Sequence, residues 1–310
     1  MNATGLTLLV PCYNAGRYLP RLAESVRAQT VPFAKILCYD DGSADNTVAV
    51  ARSLGWQILT PNENGGPAQA RNRLLAAAST EWVHFHDADD LLAPSHVETI
   101  SAAIDARADV IVGQMDWVDE ETRSCVLRWR YDAIALEQDP LAATIANPIG
   151  VIACAYRRET LLRVGGFDER FRTWEDGDLH VRLAAAGARF RVIPDLVSIG
   201  LRHGRGISSD PGLLSADRVR LLERYAIEYP AALPTIAGQA ENLARELVAN
   251  QGDRDQLRRL LALCARAGHP VPSSRNPLWR LLRLMVPPAL ALRIQHRVRA
   301  AAPASLAPRA

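Results

Sequence analysis

Cysteine is scarce in this chain and irregularly placed. Cys12, Cys38, Cys125, Cys154 and Cys264 are odd in number and include no C-x-x-C pair, which excludes a disulfide framework and a structural zinc ribbon. No uninterrupted apolar run approaches the ~20 residues that span a bilayer. The start, Met1-Asn2-Ala3-Thr4-Gly5, carries no basic leader before the strand-like Leu6 to Val10. Together these absences predict a reducing, cytoplasmic setting. Acid is missing from one end: ten arginines but no Asp or Glu follow Asp255, whereas the first 255 residues hold 26 basic and 34 acidic side chains. The basic end also lacks the aromatic interleaving of a single-strand nucleic-acid binder, so no nucleic-acid partner is expected. Neither G-x-x-x-x-G-K-[ST] nor G-x-G-x-x-G occurs around Asn64-Gly65-Gly66, which excludes the two commonest phosphate loops there.

The first half alternates short apolar runs with amphipathic stretches, the pattern of strand–helix–strand units and a largely parallel sheet. Strands are expected at Leu6–Pro11, Lys35–Tyr39, Gln57–Thr60 and Glu81–Phe85, with helices at Tyr18–Ala28, Asn46–Leu54 and Ala68–Ala78 between them. In such sheets ligands bind beyond the carboxyl ends of the strands. Three polar segments fall at that edge: Pro11-Cys12-Tyr13-Asn14, Asp40-Asp41-Gly42-Ser43 and Asp87-Ala88-Asp89-Asp90. The last follows the apolar strand Trp82 to Phe85, and its carboxylates repel one another unless a cation neutralises them. Oxygen ligands of this kind suit Mg²⁺ or Mn²⁺. The alternative is a solvated turn in which Asp90 caps a helix beginning at Leu91. Asp40 and Asp41 carry a similar choice between ligand binding and a capped turn. His84 and His86 share one strand face, where a zinc site with the acids is conceivable.

Beyond Asp109 the sequence predicts a strand at Val110–Val112 and an irregular segment with Trp117, Trp129 and Tyr131. A strand at Ile149–Tyr156, a helix from Arg158 stopped by Gly165-Gly166, a helix opening at Trp174-Glu175-Asp176 and a strand at Phe190–Ile193 follow. Gly204 to Gly212 should be mobile. The division is expected near residue 212, leaving a first domain of 1–212 and an all-helical, basic extension of 213–310 whose end, Ala300–Ala310, should be disordered.

Taken in order, Val10-Pro11-Cys12-Tyr13-Asn14, Gln29-Thr30, Asp40-Asp41-Gly42-Ser43, Asn64-Gly65-Gly66 with Ala70-Arg71-Asn72, Asp87-Ala88-Asp89-Asp90, Gly165-Gly166-Phe167-Asp168 and Glu175-Asp176 closely resemble the family 2 glycosyltransferases over residues 5 to 210. The resemblance implies an α/β GT-A fold, Rossmann-like, with a mixed, mostly parallel sheet flanked by helices. It also implies a nucleotide-sugar donor, Mn²⁺ or Mg²⁺, and inverting transfer to a glycan or lipid-linked acceptor in surface polysaccharide, lipopolysaccharide or other glycoconjugate synthesis. Carried onto this chain, it gives Pro11, Tyr13, Asn14 and Ala88 to the donor, Asp40 to the nucleobase, Arg71 to the nucleotide, Asp87 to the ribose and Asp89 to the metal. His203 occupies the position of a metal-completing histidine, or is a surface residue beside a glycine loop. Asp176 takes the base position, with Glu175 and Trp174 tuning it or meeting the acceptor. Without the resemblance, Asp176 reads simply as a helix N-terminal acid favoured by the dipole.

Rival readings are a sugar-phosphate nucleotidyltransferase, which should show an amino-terminal Gly-rich loop with Lys or Arg, and a nucleotide-sugar-binding scaffold without turnover. In the extension, Leu278 to Val286 and Ala289 to Arg299 combine apolar residues with arginines at helical spacing. They suit an anionic membrane surface or packing against the rest of the protein.

Overall fold

The computed structural model describes residues 5–61, 64–203, 210–273 and 276–301, in two compact units, Met1–Ser209 and Asp210–Ala310. The first unit runs β1 (Leu6–Cys12), α1 (Leu19–Arg27), β2 (Lys35–Asp40), α2 (Thr47–Ser53), β3 (Gln57–Leu59), α3 (Pro67–Ala77), β4 (Trp82–Phe85), β5 (Leu91–Leu92) and α4 (His96–Ala103). It continues with β6 (Val110–Asp119), β7 (Cys125–Trp129), α5 (Ala133–Gln138), α6 (Pro140–Ala146), β8 (Cys154–Arg157), α7 (Arg158–Arg163), α8 (Glu175–Ala185) and β9 (Phe190–Arg202). Among the described residues nine strands form one sheet in the order β3-β2-β1-β4-β8-β6-β9-β5, with β7 paired to β6. β1 is parallel to β2 and β4, and β2 to β3. β8 runs antiparallel to both β4 and β6, and β6 is parallel to β9. The carboxyl ends of β1, β2, β4, β6 and β9 therefore share one edge.

Apolar side chains on both faces of the central strands create this layering. Leu8 and Val10 of β1 pack with Leu19, Leu22 and Ala51 of α1 and α2 on one side. Leu9, Val83 and Phe85 pack with Leu74, Leu161 and Leu179 of α3, α7 and α8 on the other.

Several expectations are corrected. Asp90 does not cap a helix at Leu91: that residue opens β5, which pairs with β9, and the next helix follows Ser95. The segment around Trp117 and Trp129 is the β6–β7 hairpin. The strand expected at Ile149–Tyr156 is a 3₁₀ turn at Val151–Ala153 followed by β8. β9 continues past Ile193 to Arg202 because its second half pairs with the far end of β6. Of the segment expected to be mobile, 204–209 lies outside the described residues, and Gly212 belongs to a helix capped by Asp210, which accepts the backbone N–H groups of Gly212 and Leu213. The expected disordered end at 302–310 also lies outside the described residues.

The second unit is helical: α9 (Pro211–Glu228), α10 (Leu233–Ala249), α11 (Arg254–Arg266), α12 (Pro277–Met285) and α13 (Pro288–Ala301). Val219, Leu222, Ile236, Leu243 and Leu260 are buried in it, as are Ala291 and Leu292 of α13. α12 has no buried residue, and exposes Leu278, Leu281, Leu284 and Met285. Among the described residues no helix is long and apolar enough to cross a membrane.

The Gly165-Gly166 stop behind α7 fixes the loop that enters the functional edge. Both glycines have positive φ, +78° and +69°, and their N–H groups donate to Leu162 O and Leu161 O. Asn72 of α3 then clamps the next residue in both directions, its Nδ2 donating to Phe167 O and its Oδ1 accepting Phe167 N. Alanine at both glycine positions strains the backbone, but a Cβ at Gly166 also falls 2.4 Å from Asn72 Oδ1, whereas one at Gly165 meets nothing within 4 Å. Gly166→Ala should therefore lower stability by about 2–3 kcal/mol, and Gly165→Ala by only about 1 kcal/mol. Urea denaturation of the two variants checks this order.

Candidate active site

The loops after β1 and β2 are knitted together before any ligand arrives. Asn14, at φ 49°, donates its backbone N–H to Ser43 Oγ (2.8 Å) and accepts Ala44 N at its side-chain Oδ1 (2.9 Å). Its carbonyl oxygen is thus committed to positioning. Pro11 lies within β1 opposite Tyr39, while Tyr13 is 59% exposed at the edge. The adjacent acids have different tasks. Asp41 accepts the N–H groups of Gly65 and Gly66, both at 2.8 Å, and so holds the Asn64-Gly65-Gly66 loop from within the protein. Asp40 is equally buried, and its Oδ2 accepts only Ser43 N (3.2 Å), while its Oδ1 has no partner. A buried acceptor without a donor costs about 1–3 kcal/mol. Asp40 Oδ1 is therefore poised to take an N–H from outside.

At the end of β4 the governing group is Arg71, which α3 delivers with 5% exposure. One guanidinium nitrogen donates to Asp87 Oδ1 (2.6 Å) and the other to Glu175 Oε1, so residues from three elements meet on one cation. The Phe167 ring, held by Asn72, lies 5.6 Å from the guanidinium carbon. Burial pushes the Glu175 carboxyl up to about 7, and the neighbouring Asp176 adds to the rise, against the opposing pull of Arg71. Burial by itself would loosen the Arg71 proton, but the carboxylates of Asp87, Glu175 and Asp176 outweigh it and leave Arg71 more firmly protonated than an exposed arginine. The sequence expectation gave Arg71 to the nucleotide, whereas its two terminal nitrogens serve the internal carboxylates.

Ala88 is buried in the turn that follows Asp87. Beyond it, Asp89 Oδ2 lies 2.7 Å from Nε2 of His203, whose ring stacks on Tyr18 with centroids 5.4 Å apart. Asp90 makes this meeting possible: its Oδ1 accepts Leu201 N (2.7 Å) and ties the end of β9 to the acidic turn. Arg21 adds a bracket, donating to the Asp89 carbonyl and to Glu120 Oε1, each at 3.0 Å, while Glu120 N donates to Arg202 O. Burial raises the Asp89 carboxyl, and repulsion from Asp87 raises it further.

A carboxylate and an imidazole converging at 2.7 Å form a donor set that fits a divalent cation. Among the described residues no three His, Cys, Asp or Glu side chains are grouped to hold one alone. Mg²⁺ ordinarily uses one or two protein carboxylates and completes its shell from phosphates and water. The two histidines of the zinc alternative face inward rather than toward the acids: His84 Nδ1 is 2.8 Å from Cys154 O and its Nε2 is 3.1 Å from His86 Nδ1.

Asp176 sits in the first turn of α8, immediately after Trp174 in the left-handed region (φ 63°) and Glu175. A non-glycine residue there costs on the order of 1–3 kcal/mol, and it turns the chain sharply into the helix. Asp176 Oδ1 accepts Gly177 N (2.7 Å), consistent with a helix-terminal acid, but Oδ2 accepts Val151 N from a separate segment (3.3 Å). Burial raises this carboxyl too. Its hydrogen bonds come from backbone amides, and the nearby positive charge of Arg71 opposes the rise. Sequence reasoning missed Asn72, Arg21 and Glu120 as functional supports; only Asn72 lay inside a quoted motif.

Comparison with known proteins gives the family and the fold. The model of "Glycosyl transferase family 2" matches residues 7–169. The chain is 29% identical over 245 residues to the succinoglycan biosynthesis protein ExoO of Rhizobium meliloti, covering 72% of this chain and 69% of that protein. It is 31% identical over 121 residues to glycosyltransferase GlyG of Streptococcus pneumoniae, where the match spans 37% of this chain and only 40% of GlyG. Among solved structures, S. aureus TarS 1–349 in complex with UDP-GlcNAc superposes with a TM-score of 0.64 at 21% identity, over 94% of this chain and 88% of that one. A mannosyltransferase of Pyrobaculum calidifontis in complex with GDP-Man and Mn²⁺ superposes with a TM-score of 0.57 at 21% identity, over 96% and 84% of the two chains. With more than half its length matched by the family model and a sheet of the same architecture, the chain belongs to glycosyl transferase family 2 and has the GT-A fold.

Proposed function

We propose that the protein transfers a sugar from a nucleoside-diphosphate sugar to an acceptor hydroxyl with inversion at the anomeric carbon, in the synthesis of a polysaccharide or related glycoconjugate. One observation carries this reading. Arg71 ties Asp87, two residues from Asp89, to Glu175, which adjoins Asp176, so the diphosphate end and the base end stand one guanidinium apart. The orphaned Oδ1 of Asp40 supports a nucleobase site, since a base edge supplies the missing N–H. ExoO, named for succinoglycan biosynthesis, supports the product class. The nucleotide sugars bound in the two structural relatives support the donor class.

Asp89 and His203 are the residues that would hold Mn²⁺ or Mg²⁺, which when bound supplies positive charge for the departing diphosphate. Asp176 accepts the proton of the acceptor hydroxyl as that oxygen attacks the anomeric carbon and the bond to the diphosphate breaks. A single displacement needs one ionised base and no second nucleophile. That requirement suits a site where Glu175 is occupied by Arg71 and Asp176 is left to act. The raised Asp176 carboxyl is a stronger base than an exposed aspartate, and amide hydrogen bonds fix its aim.

Three outcomes follow. Asp176→Asn should lower transfer by roughly 10²–10⁴-fold while nucleotide affinity survives. Because a base acts only when ionised, wild-type kcat/KM should rise with pH through an acid limb lying above the ordinary aspartate value of about 3.9, and the substitution should remove that limb. Transfer within a few fold of wild type would return Asp176 to a helix-capping role.

Asp89→Ala should abolish the Mn²⁺-dependent part of binding to UDP or GDP in calorimetry without lowering Tm. Unchanged Mn²⁺ dependence in the folded variant would refute the metal assignment.

Arg71→Met leaves two carboxylates without their cation. It should cost about 3 kcal/mol, the lower end for a broken buried pair because the Asp87 side chain is 34% exposed. This corresponds to a Tm loss of roughly 6–12 °C. Adding Glu175→Gln should recover part of that loss, which differential scanning calorimetry would measure.

A further inference from the structure

The β6–β7 hairpin carries an aromatic row that the chemistry above does not use. Trp117, Trp129 and Tyr131 follow one another with ring centroids 6.5 Å and 5.9 Å apart and interplanar angles of 36° and 30°. Strand alternation sorts the hairpin. Asp116 faces Arg128 across the ladder, and Trp117 faces Leu127, so the charged residues lie on one face and the apolar ones on the other. Tyr131 and, more shallowly, Trp117 and Trp129 pack against the core that contains Val151 and Leu179 of the α8 side. The row is therefore on the same face of the sheet as Asp176.

Its inner end is tied to the base. The Tyr131 hydroxyl accepts Gly150 N (3.0 Å), and the next amide, Val151 N, donates to Asp176. Its outer end reaches the metal strand. Trp117 lies against Gly200 of β9, where a Cβ would sit 2.6 Å from the indole, and the Arg202 guanidinium lies 6.0 Å from the indole centroid, next to His203. The central ring is pinned as well, Trp129 Nε1 donating to Asn147 Oδ1 (3.2 Å). Trp117 and Trp129 remain only half-buried, and Leu127 beside them is 47% exposed. Core packing alone does not call for large, oriented rings left partly open at a sheet edge.

We infer that this row is the acceptor subsite and that it takes a pyranose ring of a carbohydrate acceptor by stacking. The inference rests on the transferase reading for its role. Aromatic faces offer apolar area at low entropic cost, and these rings are already fixed by their neighbours. A sugar presents an apolar C–H face to such a shelf and hydroxyls to its rim. The rim here supplies the Asn147 amide, the Arg202 guanidinium and the Asp176 carboxylate, all able to meet hydroxyls. A hydrocarbon chain would satisfy none of them.

The test titrates the full chain, with UDP or GDP and Mn²⁺ present, with methyl glucoside, cellobiose, N,N′-diacetylchitobiose and octyl glucoside, read by tryptophan emission and ligand-observed NMR. At least one of the three sugars without an alkyl chain should bind in about the millimolar range. Trp129→Ala should weaken that binding about tenfold or more, and Trp129→Tyr should keep part of it, with nucleotide affinity unchanged in both. In turnover, acceptor KM should rise while hydrolysis of the donor by water stays constant, a split that a general loss of structure would not give. Leu127→Asp, at an exposed position beside the rings, should weaken the same binding and serves if Trp129→Ala fails to fold. Sugar binding unaffected by these substitutions, a response to octyl glucoside alone, or no response to any sugar while nucleotide still binds would each overturn the subsite and leave the transferase reading intact. Failure to bind any nucleotide would instead count against that reading.

Discussion

The buried guanidinium of Arg71 is the constraint on which the rest of the site depends. Asp87 belongs to the turn after β4, and Glu175, 104 residues beyond Arg71 in the chain, to the start of α8. Placing these carboxylates and Asp176 in a desolvated cleft without a cation would drive protons onto them. With Arg71 present, one positive charge pairs with two acids and also acts on Asp176, whose hydrogen bonds come from backbone amides. Glu175, raised to about 7 despite its salt bridge, shows how closely burial and pairing are balanced there. The arginine is more than a donor contact: it makes the acidic cleft possible.

Its own placement rests on hydrogen bonds to the backbone of the loop after α7. Asn72, the next residue on α3, holds Phe167 by both backbone groups, and Arg182 donates to the carbonyls of Val164 and Gly166 while pairing with Asp178. The loop after α7 is thus closed from two sides, and Phe167 supports the guanidinium. At the ends of β1 and β2 Asp41 plays the comparable part, spending both carboxylate oxygens on Gly65 and Gly66. Each polar cluster contains one residue that builds the site and another, such as Asp40 or Asp176, left with capacity to spare.

That division explains what was legible in the sequence. The parallel strands and their helices could be read from apolar periodicity, since both faces of β1 and β4 are covered, and the acids at their ends marked the ligand edge. The resemblance gave Asp89 and His203 to the metal, and the structure brings their side chains 2.7 Å apart. The distinction between Asp40 and Asp41 was not legible, because two adjacent acids after a strand look alike until the glycine amides they might hold are placed. The β6–β7 hairpin was hidden for a related reason: a register shift near Trp117 and a partner strand shared among three neighbours blur its alternation. The helix expected after Asp90 failed because β9, far along the chain, captured Leu91 and Leu92 as a strand.

The hydrogen bond from Leu201 to Asp90 spans 111 residues, and the contact of His203 with Asp89 spans 114. Loop closure over such distances is entropically unfavourable until the intervening sheet exists. During synthesis, the acidic turn emerges from the ribosome long before its histidine does. A nascent chain that has completed β1 to β4 holds the loops after β1 and β2 but neither His203 nor Asp176. The contacts of the acidic turn with Leu201 and His203 are therefore late products of folding, made by the same strand that closes the sheet, so that a chain cut short before that strand would leave the turn without either partner.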